Sequence, residues 1–277
     1  MAIIWVGTGR FNAYIGPVQD YIDRVVAADV AAGNTLGLEV GVRDAYDVFI
    51  RDSINVGDLG TSGGVLSQAN SIIKAAPIMA GARTLAGALV PLVGPAPTRF
   101  GTAGGWNYNR KTGLQANGTN NYLDSNRSNS ADPQNSKHVA VFTSEPETRN
   151  ATRAAIASRS PSGAVGSTHI LTTASVVVAR INTSGTSSTA NATPFTGLFG
   201  GSRSSDTQCT VRFSGASTTI NESSSAPAAV PIDVFSRNGG DFSNARFAFY
   251  SIGESLNLAL LDARITTLIN TFGAAIP

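Results

Sequence analysis

The residues best suited to binding chemistry lie in one polar stretch, from Asn117 to Asn135, which is rich in Asn and Asp. A sugar site needs amides and carboxylates that exchange hydrogen bonds with hydroxyl groups, and an aromatic ring that packs on a sugar face. Trp106 and Tyr108 precede the stretch closely, and Tyr122 lies within it. The candidate glycan-binding residues are Trp106, Tyr108, Asn120, Asn121, Tyr122, Asp124 and Asn126.

Turn formation is the competing interpretation of these residues, because Asn and Asp side chains bond readily to nearby backbone. We expect most of them to shape turns, with ligand contact as the alternative. Asp124, Asn126 and Asp132 also offer oxygen atoms of the kind that calcium binds. Their spacing does not match the D-x-[DN]-x-[DN]-G pattern of a calcium loop. The sequence therefore predicts no metal site and no cofactor.

Patterns that would support catalysis are weak. Glycosidase chemistry needs two carboxylates held roughly 5 to 10 Å apart in a cleft, whereas Glu145 and Glu147 flank a proline in an expected exposed turn. Ser202 is one glycine short of the G-x-S-x-G elbow of hydrolases. His138 and His169 have only a lone cysteine to complete a zinc set. We therefore expect no catalytic residues and no enzyme.

Composition narrows the remaining function classes. Charged residues make up 14% of the 277 and the formal net charge is +2, against about 25% charged residues in an ordinary soluble domain. No basic run is longer than Arg110-Lys111, so we expect no nucleic-acid binding. No stretch approaches the roughly 18 apolar residues of a membrane span, so we expect no membrane insertion. Cys209 is the single cysteine, which predicts no internal disulfide and synthesis in a reducing compartment.

The chain divides near residue 100, where a Pro-punctuated stretch ends a part rich in Ala and Val. Before it, apolar residues recur at helical spacing over 18–26 and 38–50, and 65–76 is compatible with a third short helix. Three short helices make a marginal core alone, so this part must pack against other structure. We predict a helical or irregular anchoring region over 1–100 and a second domain over 101–277.

The opening of the chain is apolar and has the same need for a partner surface. Its residues form either an ordinary core strand or an arm that contacts other subunits. The predicted assembly residues are Ile3, Ile4, Trp5 and Val6.

Beyond residue 100 the pattern changes to short apolar or alternating runs separated by turns. Cys209, Val211 and Phe213 alternate with polar residues, as expected of a strand with one buried and one wet face. Helical spacing from Leu258 to Phe272 predicts a C-terminal helix. Further strands are predicted at 137–143, 175–181, 218–221, 230–236 and 246–252. Many strands without helices between them indicate a mainly β fold, an antiparallel β-sandwich.

Two segments resemble concanavalin-A-like, laminin-G-like domains. Residues 111–124, KTGLQANGTNNYLD, are similar to the turn that leads into the first core strand of those domains. Residues 246–256, RFAFYSIGESL, are similar to their last strand and the short helix after it. The resemblance implies a lectin-like, concanavalin-A-like jelly roll over the second domain, with a small α-helical N-terminal region and a C-terminal helix.

Four further sequence segments resemble a protein that recurs in tailed bacteriophages. That protein occurs either alone or at the ends of tail proteins. These segments lie at 80–94, 109–114, 122–127 and 131–134. The similarity covers most of the chain and departs from the pattern over the first 17 residues. It implies a virion component, made in the cytoplasm of the bacterial host.

The expected role is that of a virion structural protein, foremost a compact tail-associated fibre or receptor-binding adhesin. Its expected partners are other virion proteins and a host-surface glycan. The first alternative is a capsid decoration or cement protein that stabilises the head, and the second is a glycan depolymerase. A homo-oligomer is expected, with a trimer favoured, and a place on the tail is favoured over the capsid surface.

Overall fold

A computed structural model describes residues 14–148, 151–161, 164–173, 176–183 and 195–277, and the backbone of 188–190. Within these residues the chain forms α1 (Gly16–Ala31), α2 (Val40–Asn55), α3 (Leu85–Ala88) and α4 (Leu258–Ala275). The strands are β1 (Gly60–Ser62), β2 (Val65–Ser67), β3 (Ile73–Pro77), β4 (Pro91–Val93), β5 (Thr98–Phe100), β6 (Trp106–Asn109), β7 (Gly113–Ala116), β8 (Tyr122–Ser128), β9 (Lys137–Glu145), β10 (Arg153–Ser158), β11 (Ser167–Thr172), β12 (Val177–Thr183), β13 (Ser188–Ala190), β14 (Gly197–Arg203), β15 (Gln208–Phe213), β16 (Ala216–Asn221), β17 (Pro231–Val234) and β18 (Arg246–Gly253). The predicted assembly residues Ile3, Ile4, Trp5 and Val6 lie outside the described residues.

Two large antiparallel sheets face each other. The seven-stranded sheet has the order β13-β12-β11-β10-β17-β8-β5. The nine-stranded sheet has the order β16-β15-β14-β9-β18-β3-β4, with β7 beside β18 and β6 beside β7. Strands β1 and β2 form a separate hairpin. The predicted fold class, a mainly β antiparallel sandwich with N-terminal helices and a C-terminal helix, is confirmed.

The central strands of the nine-stranded sheet, β9 and β18, are buried on both faces. On β9, Val139 and Val141 point into the core between the sheets, whereas Ala140 and Phe142 contact the helical layer of α1, α2 and α4. Such a strand is a continuous apolar run rather than an alternating one. On the seven-stranded sheet, Leu123 packs inward and its neighbours in β8 face the other way. Among the described residues, helices therefore cover the outer face of the nine-stranded sheet, and no helix packs on the outer face of the seven-stranded sheet.

Local signals predict the helices well and fail for one segment. Helices α1, α2 and α4 are confirmed, and the last begins where the Asn257 side chain accepts hydrogen bonds from two backbone amides. The third helix predicted over 65–76 is wrong, because this segment forms β2 and the start of β3. Strand β3 pairs with β18, and a pairing so distant along the chain overrides local propensity.

The predicted boundary near residue 100 coincides with no break in either sheet. Strands β3 and β4 belong to the nine-stranded sheet, and β5 forms the edge of the seven-stranded sheet. One apolar cluster joins α1, α2 and α4 to β9, β14 and β18. An anchoring role for the first 100 residues stays a prediction. In the described chain no helix has the length and hydropathy needed to cross a membrane.

Candidate binding site

The edge of the seven-stranded sheet carries a stacked pair of aromatic rings. Phe100 in β5 and Tyr122 in β8 are direct cross-strand partners. Their ring centroids lie 4.9 Å apart and their planes differ by 7°. Phe100 remains 41% exposed, although full burial of a Phe side chain usually contributes about 1.5 to 3 kcal/mol. The stack therefore fixes one aromatic ring and leaves part of the other facing solvent.

An arginine packs against the Tyr122 ring of this pair. The Arg159 guanidinium lies 5.8 Å from the centre of the Tyr122 ring, within the range of a cation–π contact. Its Nη2 donates to Asp233 Oδ1 at 2.7 Å and to Asp124 Oδ2 at 3.0 Å. Nε donates to the second oxygen of Asp233 at 3.0 Å. Tyr122, Asp124 and Asp233 are thus each held by Arg159.

The electrostatics of this cluster depend on one buried carboxylate. The Asp233 side chain is fully buried, and this burial raises its pKa, while Arg159 acts in the opposite direction. The hydrogen bonds to Asp233 in turn raise the pKa of Arg159. Asp124 lies opposite Asp233 in the strand register. One cation therefore compensates two neighbouring carboxylates.

Beside the stacked rings lies an open groove of about 370 Å³, which we call the rim groove. It is lined by Arg99, Phe100, Gly101, Ala103 and Trp106. The Trp106 ring is held edge-on against Phe235, with 5.8 Å between centroids. The Arg99 side chain is exposed and makes no ion pair or hydrogen bond within the described chain. The groove therefore combines fixed aromatic surface with a free guanidinium, which suits a flat polar ligand.

The polar loop next to the groove is held by its own hydrogen bonds. Asn117 Oδ1 accepts from the backbone N–H groups of Thr119, Asn120 and Asn121, at 2.9, 3.2 and 3.1 Å. Asn121 is fully buried, and its side chain bonds the backbone N–H and C=O of Thr102 at 3.2 and 2.8 Å. These contacts favour the turn interpretation for both Asn120 and Asn121.

Two more of the candidate residues have internal partners. The Tyr108 hydroxyl donates to Ala82 O at 2.7 Å, and burial raises the pKa of this phenol. Asn126 adopts a left-handed backbone conformation with φ of 54°. Its side-chain nitrogen donates to Ala96 O at 2.7 Å and to Thr98 Oγ1 at 2.8 Å. Of the seven candidates, Trp106 lines the rim groove, Tyr122 stacks on Phe100 beside the groove, and Asp124 binds Arg159.

The sequence-based candidates omit four residues of this region, namely Arg99, Phe100, Arg159 and Asp233. Phe100 and Arg99 precede the polar stretch, and a single exposed ring gives no pattern by itself. Arg159 and Asp233 lie far along the chain and reach the site because β10 and β17 pair next to β8. The signal that was available is the apolar-to-polar alternation of Leu123 with its neighbours, which places Tyr122 and Asp124 on an outer face.

The carboxylates weighed for catalysis are bound elsewhere. Glu145 pairs with Arg246 Nε at 2.9 Å, and Glu147 Oε2 accepts from the backbone N–H of Asn244 at 2.7 Å. Asp132 is buried against Lys137, so it does not join Asp124 in a common oxygen site. The described residues contain no group of three or more His, Cys, Asp or Glu arranged to hold a metal ion.

No protein-family model and no curated protein matches this sequence. Among solved structures, the chain is similar to the CBM40 domain of a Ruminococcus gnavus IT-sialidase bound to α2,3-sialyllactose, with 12% identity, a TM-score of 0.36, and coverage of 48% of this chain and 82% of that one. It is also similar to domains LG4-5 of the mouse laminin α1 chain, with 15% identity, a TM-score of 0.32, and coverage of 45% and 37%. These neighbours fit a lectin-like jelly-roll fold.

A further match is Trypanosoma rangeli sialidase, with 9% identity, a TM-score of 0.49, and coverage of 81% of this chain and 39% of that one. The expectation that this chain is not an enzyme is corrected by such matches, because sialidases are among the solved structures to which the chain is similar. Weak catalytic motifs are therefore no ground for excluding an enzyme. The chain spans well under half of that sialidase, and a likeness at this level assigns no reaction and no ligand.

Proposed function

We propose that this chain is a virion structural protein of a tailed bacteriophage, associated with the tail, that binds a host-surface glycan through the rim groove. The observation that carries the proposal is the exposed Phe100 ring beside the unpaired Arg99 at an open groove. The phage-like segments of the sequence support the virion role.

The physical case for a glycan rests on two kinds of contact. The apolar C–H face of a sugar packs on an aromatic ring, and its hydroxyl or carboxylate groups accept hydrogen bonds from a guanidinium. Phe100 supplies the ring and Arg99 the guanidinium. Because Tyr122 and Arg159 already hold the ring stack in place, little side-chain freedom is lost on binding, which favours affinity.

The helical side of the molecule suits contact with other virion proteins. Large apolar residues are exposed there in one stretch of sequence, more densely than elsewhere in the described chain. They are Val30, Leu36, Val40, Val48 and Val56. Contiguous exposed apolar surface is typical of protein–protein contact, and we propose that these residues belong to one such surface. We propose that copies of the chain, as a trimer, attach through this side and direct the rim groove outward.

The test compares Phe100→Ala and Arg99→Ala with the wild-type chain on a glycan array that includes α2,3-sialyllactose. Leu260→Ala is the matched control, because this residue is also an exposed apolar side chain but lies on α4. We expect each groove variant to lose about tenfold in affinity, which corresponds to ~1.4 kcal/mol, and the control to bind as wild type. Binding equal to wild type in both groove variants would remove the glycan role.

The position on the particle is tested separately. Gold-labelled antibody against the C-terminus of the chain, viewed on purified virions, is expected to mark the tail. Label over the head would support the cement alternative instead, in which the exposed apolar residues of the helical side bind capsid subunits.

A further inference from the structure

A second groove lies on the helical side, between α2 and α4. Its volume is about 420 Å³, and its floor is formed by Ala45, Phe49 and Leu268. Val48 lies at its edge and is 52% exposed. The groove runs from Asp44 to Asp52 on α2, which at 1.5 Å per residue is about 12 Å. We call it the helical groove.

The charges around the helical groove are predominantly negative. Asp44 and Asp52 lie on its rim, and both are exposed. The cation that lines it, Arg264, is paired with Asp58. Asp52 makes no ion pair within the described chain. An occupant of this groove should therefore combine apolar side chains with positive charge.

The described chain begins beside this groove. The Tyr14 hydroxyl donates to Asp44 Oδ1 at 2.7 Å, and partial burial, together with this bond, raises the pKa of Tyr14 to about 12. The residues before it contain the apolar run from Ile3 to Val6 and the basic Arg10. The composition of this segment thus matches the surface at which it enters the described structure.

We propose that the helical groove binds the chain's own apolar segment, Ile3 to Val6, with Arg10 near Asp52. Four extended residues span about 13 Å, which matches the length of the groove. The seven residues that connect the segment to Tyr14 reach about 23 Å when extended, and they include Gly7 and Gly9, which permit a reversal of the chain. Attachment to the same chain gives the segment a high effective concentration at the groove.

The test uses the fluorescence of Trp5 in the full-length chain. Because Trp106 is the other tryptophan, the spectrum of Trp5 is the difference between the wild-type chain and Trp5→Phe. We expect a blue-shifted emission relative to free N-acetyl-tryptophanamide, with protection from iodide and no dependence on protein concentration. Val48→Glu should abolish both the shift and the protection. The matched control Val30→Glu changes an equally exposed valine on α1 outside the groove and should leave both unchanged.

A charge-reversal pair keeps the proposal testable if Val48→Glu alters folding. Arg10→Glu and Asp52→Lys should each weaken the protection of Trp5, and the double variant should restore it. Solvent-like emission in the wild-type chain, or no response to Val48→Glu in a chain with wild-type circular dichroism, would overturn the proposal. A blue shift that appears with increasing concentration would overturn it too, and would assign the groove to the segment of a second copy.

Discussion

Asp124 and Asp233 lie directly opposite each other on adjacent strands, although more than a hundred residues separate them along the chain. Two neighbouring carboxylates repel each other, and one of them is fully buried. Arg159 makes the arrangement possible because it donates to both. The pairing of β8 with β17 near the edge of the seven-stranded sheet thus depends on Arg159, which directly follows β10.

Replacing Arg159 with Met should therefore destabilise the fold. The change leaves Asp233 buried without its cation, a defect that costs several kcal/mol when the pair is fully buried. Because Arg159 is 32% exposed, we expect about 2 kcal/mol in the free energy of unfolding at pH 7. Chemical denaturation measures the loss, and Arg99→Met, which breaks no ion pair, should be neutral.

The same variant carries a pH signature. Burial already raises the pKa of Asp233 in the wild-type chain, and removal of Arg159 should raise it further. A carboxyl whose pKa is higher in the folded state destabilises the fold as pH rises through that range. The cost of Arg159→Met should thus be smaller at pH 4 than at pH 7. An equal cost at both values would mean that Asp233 is solvated rather than compensated.

A second buried ion pair joins Lys137 to Asp132, and we expect Asp132→Asn to destabilise the fold. Lys137 is fully buried, and its Nζ donates to Asp132 Oδ2 at 3.2 Å and to Asn129 O at 2.8 Å. Burial lowers the pKa of Lys137, which Asp132 opposes. Without the carboxylate the ammonium lacks its counter-charge, and we expect a loss of about 3 kcal/mol. Urea denaturation at pH 7 checks this, with Asp206→Asn, at a loop surface, as the control.

Because His138 is buried, we expect the free energy of unfolding to fall in mild acid. Its Nδ1 donates to Glu254 O at 2.5 Å and its Nε2 accepts from the Ser251 hydroxyl at 3.0 Å, so the neutral ring is fully bonded. Burial lowers its pKa to about 4. In the unfolded chain the His138 side chain binds a proton near pH 6.5. The contribution of this residue to stability should therefore fall by roughly 3 kcal/mol as the pH drops from 6.5 to 4.

The contribution of His138 is isolated by comparison with His138→Gln. Denaturation curves at pH 7, 5.5 and 4 should show a shallower pH dependence for the variant. Burial also lowers the pKa of His169, to about 3, so part of the dependence should remain. An unchanged slope in the variant would show that His138 is already protonated or solvent-exposed in the folded chain.

We expect position 113 to tolerate no residue other than glycine. Its φ is +106°, and a Cβ atom there would overlap the carbonyl oxygen of Phe247 on β18. Gly113→Ala should cost at least about 2 kcal/mol, because strain and overlap act together. Gly104→Ala is the control, since a Cβ at that position meets nothing within 4 Å. Thermal denaturation of the two variants should separate them clearly.

The sequence predicts the parts of this fold that depend on local pattern. Strand β15 is found because one of its faces is wet, so Cys209, Val211 and Phe213 alternate with polar residues. The helices are found because their buried faces repeat at helical spacing. Strand β3 is missed because its burial comes from β18, which lies more than 170 residues further along the chain.

The candidate site follows the same division. Trp106 and Tyr122 are recognisable as aromatic residues beside a polar loop. Phe100 and Arg159 are not, because their roles arise from strand pairings that no short motif records. Asn121 shows the opposite error. Its polar side chain suggested ligand contact, but the fold buries it completely.

The one-sided helical layer has a consequence for attachment strength. In the assembly proposed above, subunits that share this layer as their common base would hold their rim grooves in parallel, all facing the same cell surface. A second groove that engages a neighbouring glycan then binds at a high effective concentration, and the combined affinity can exceed the single-site affinity by 10² to 10⁴-fold. Each contact can thus remain weak and rapidly reversible, while the particle as a whole stays bound and is still able to move across the surface.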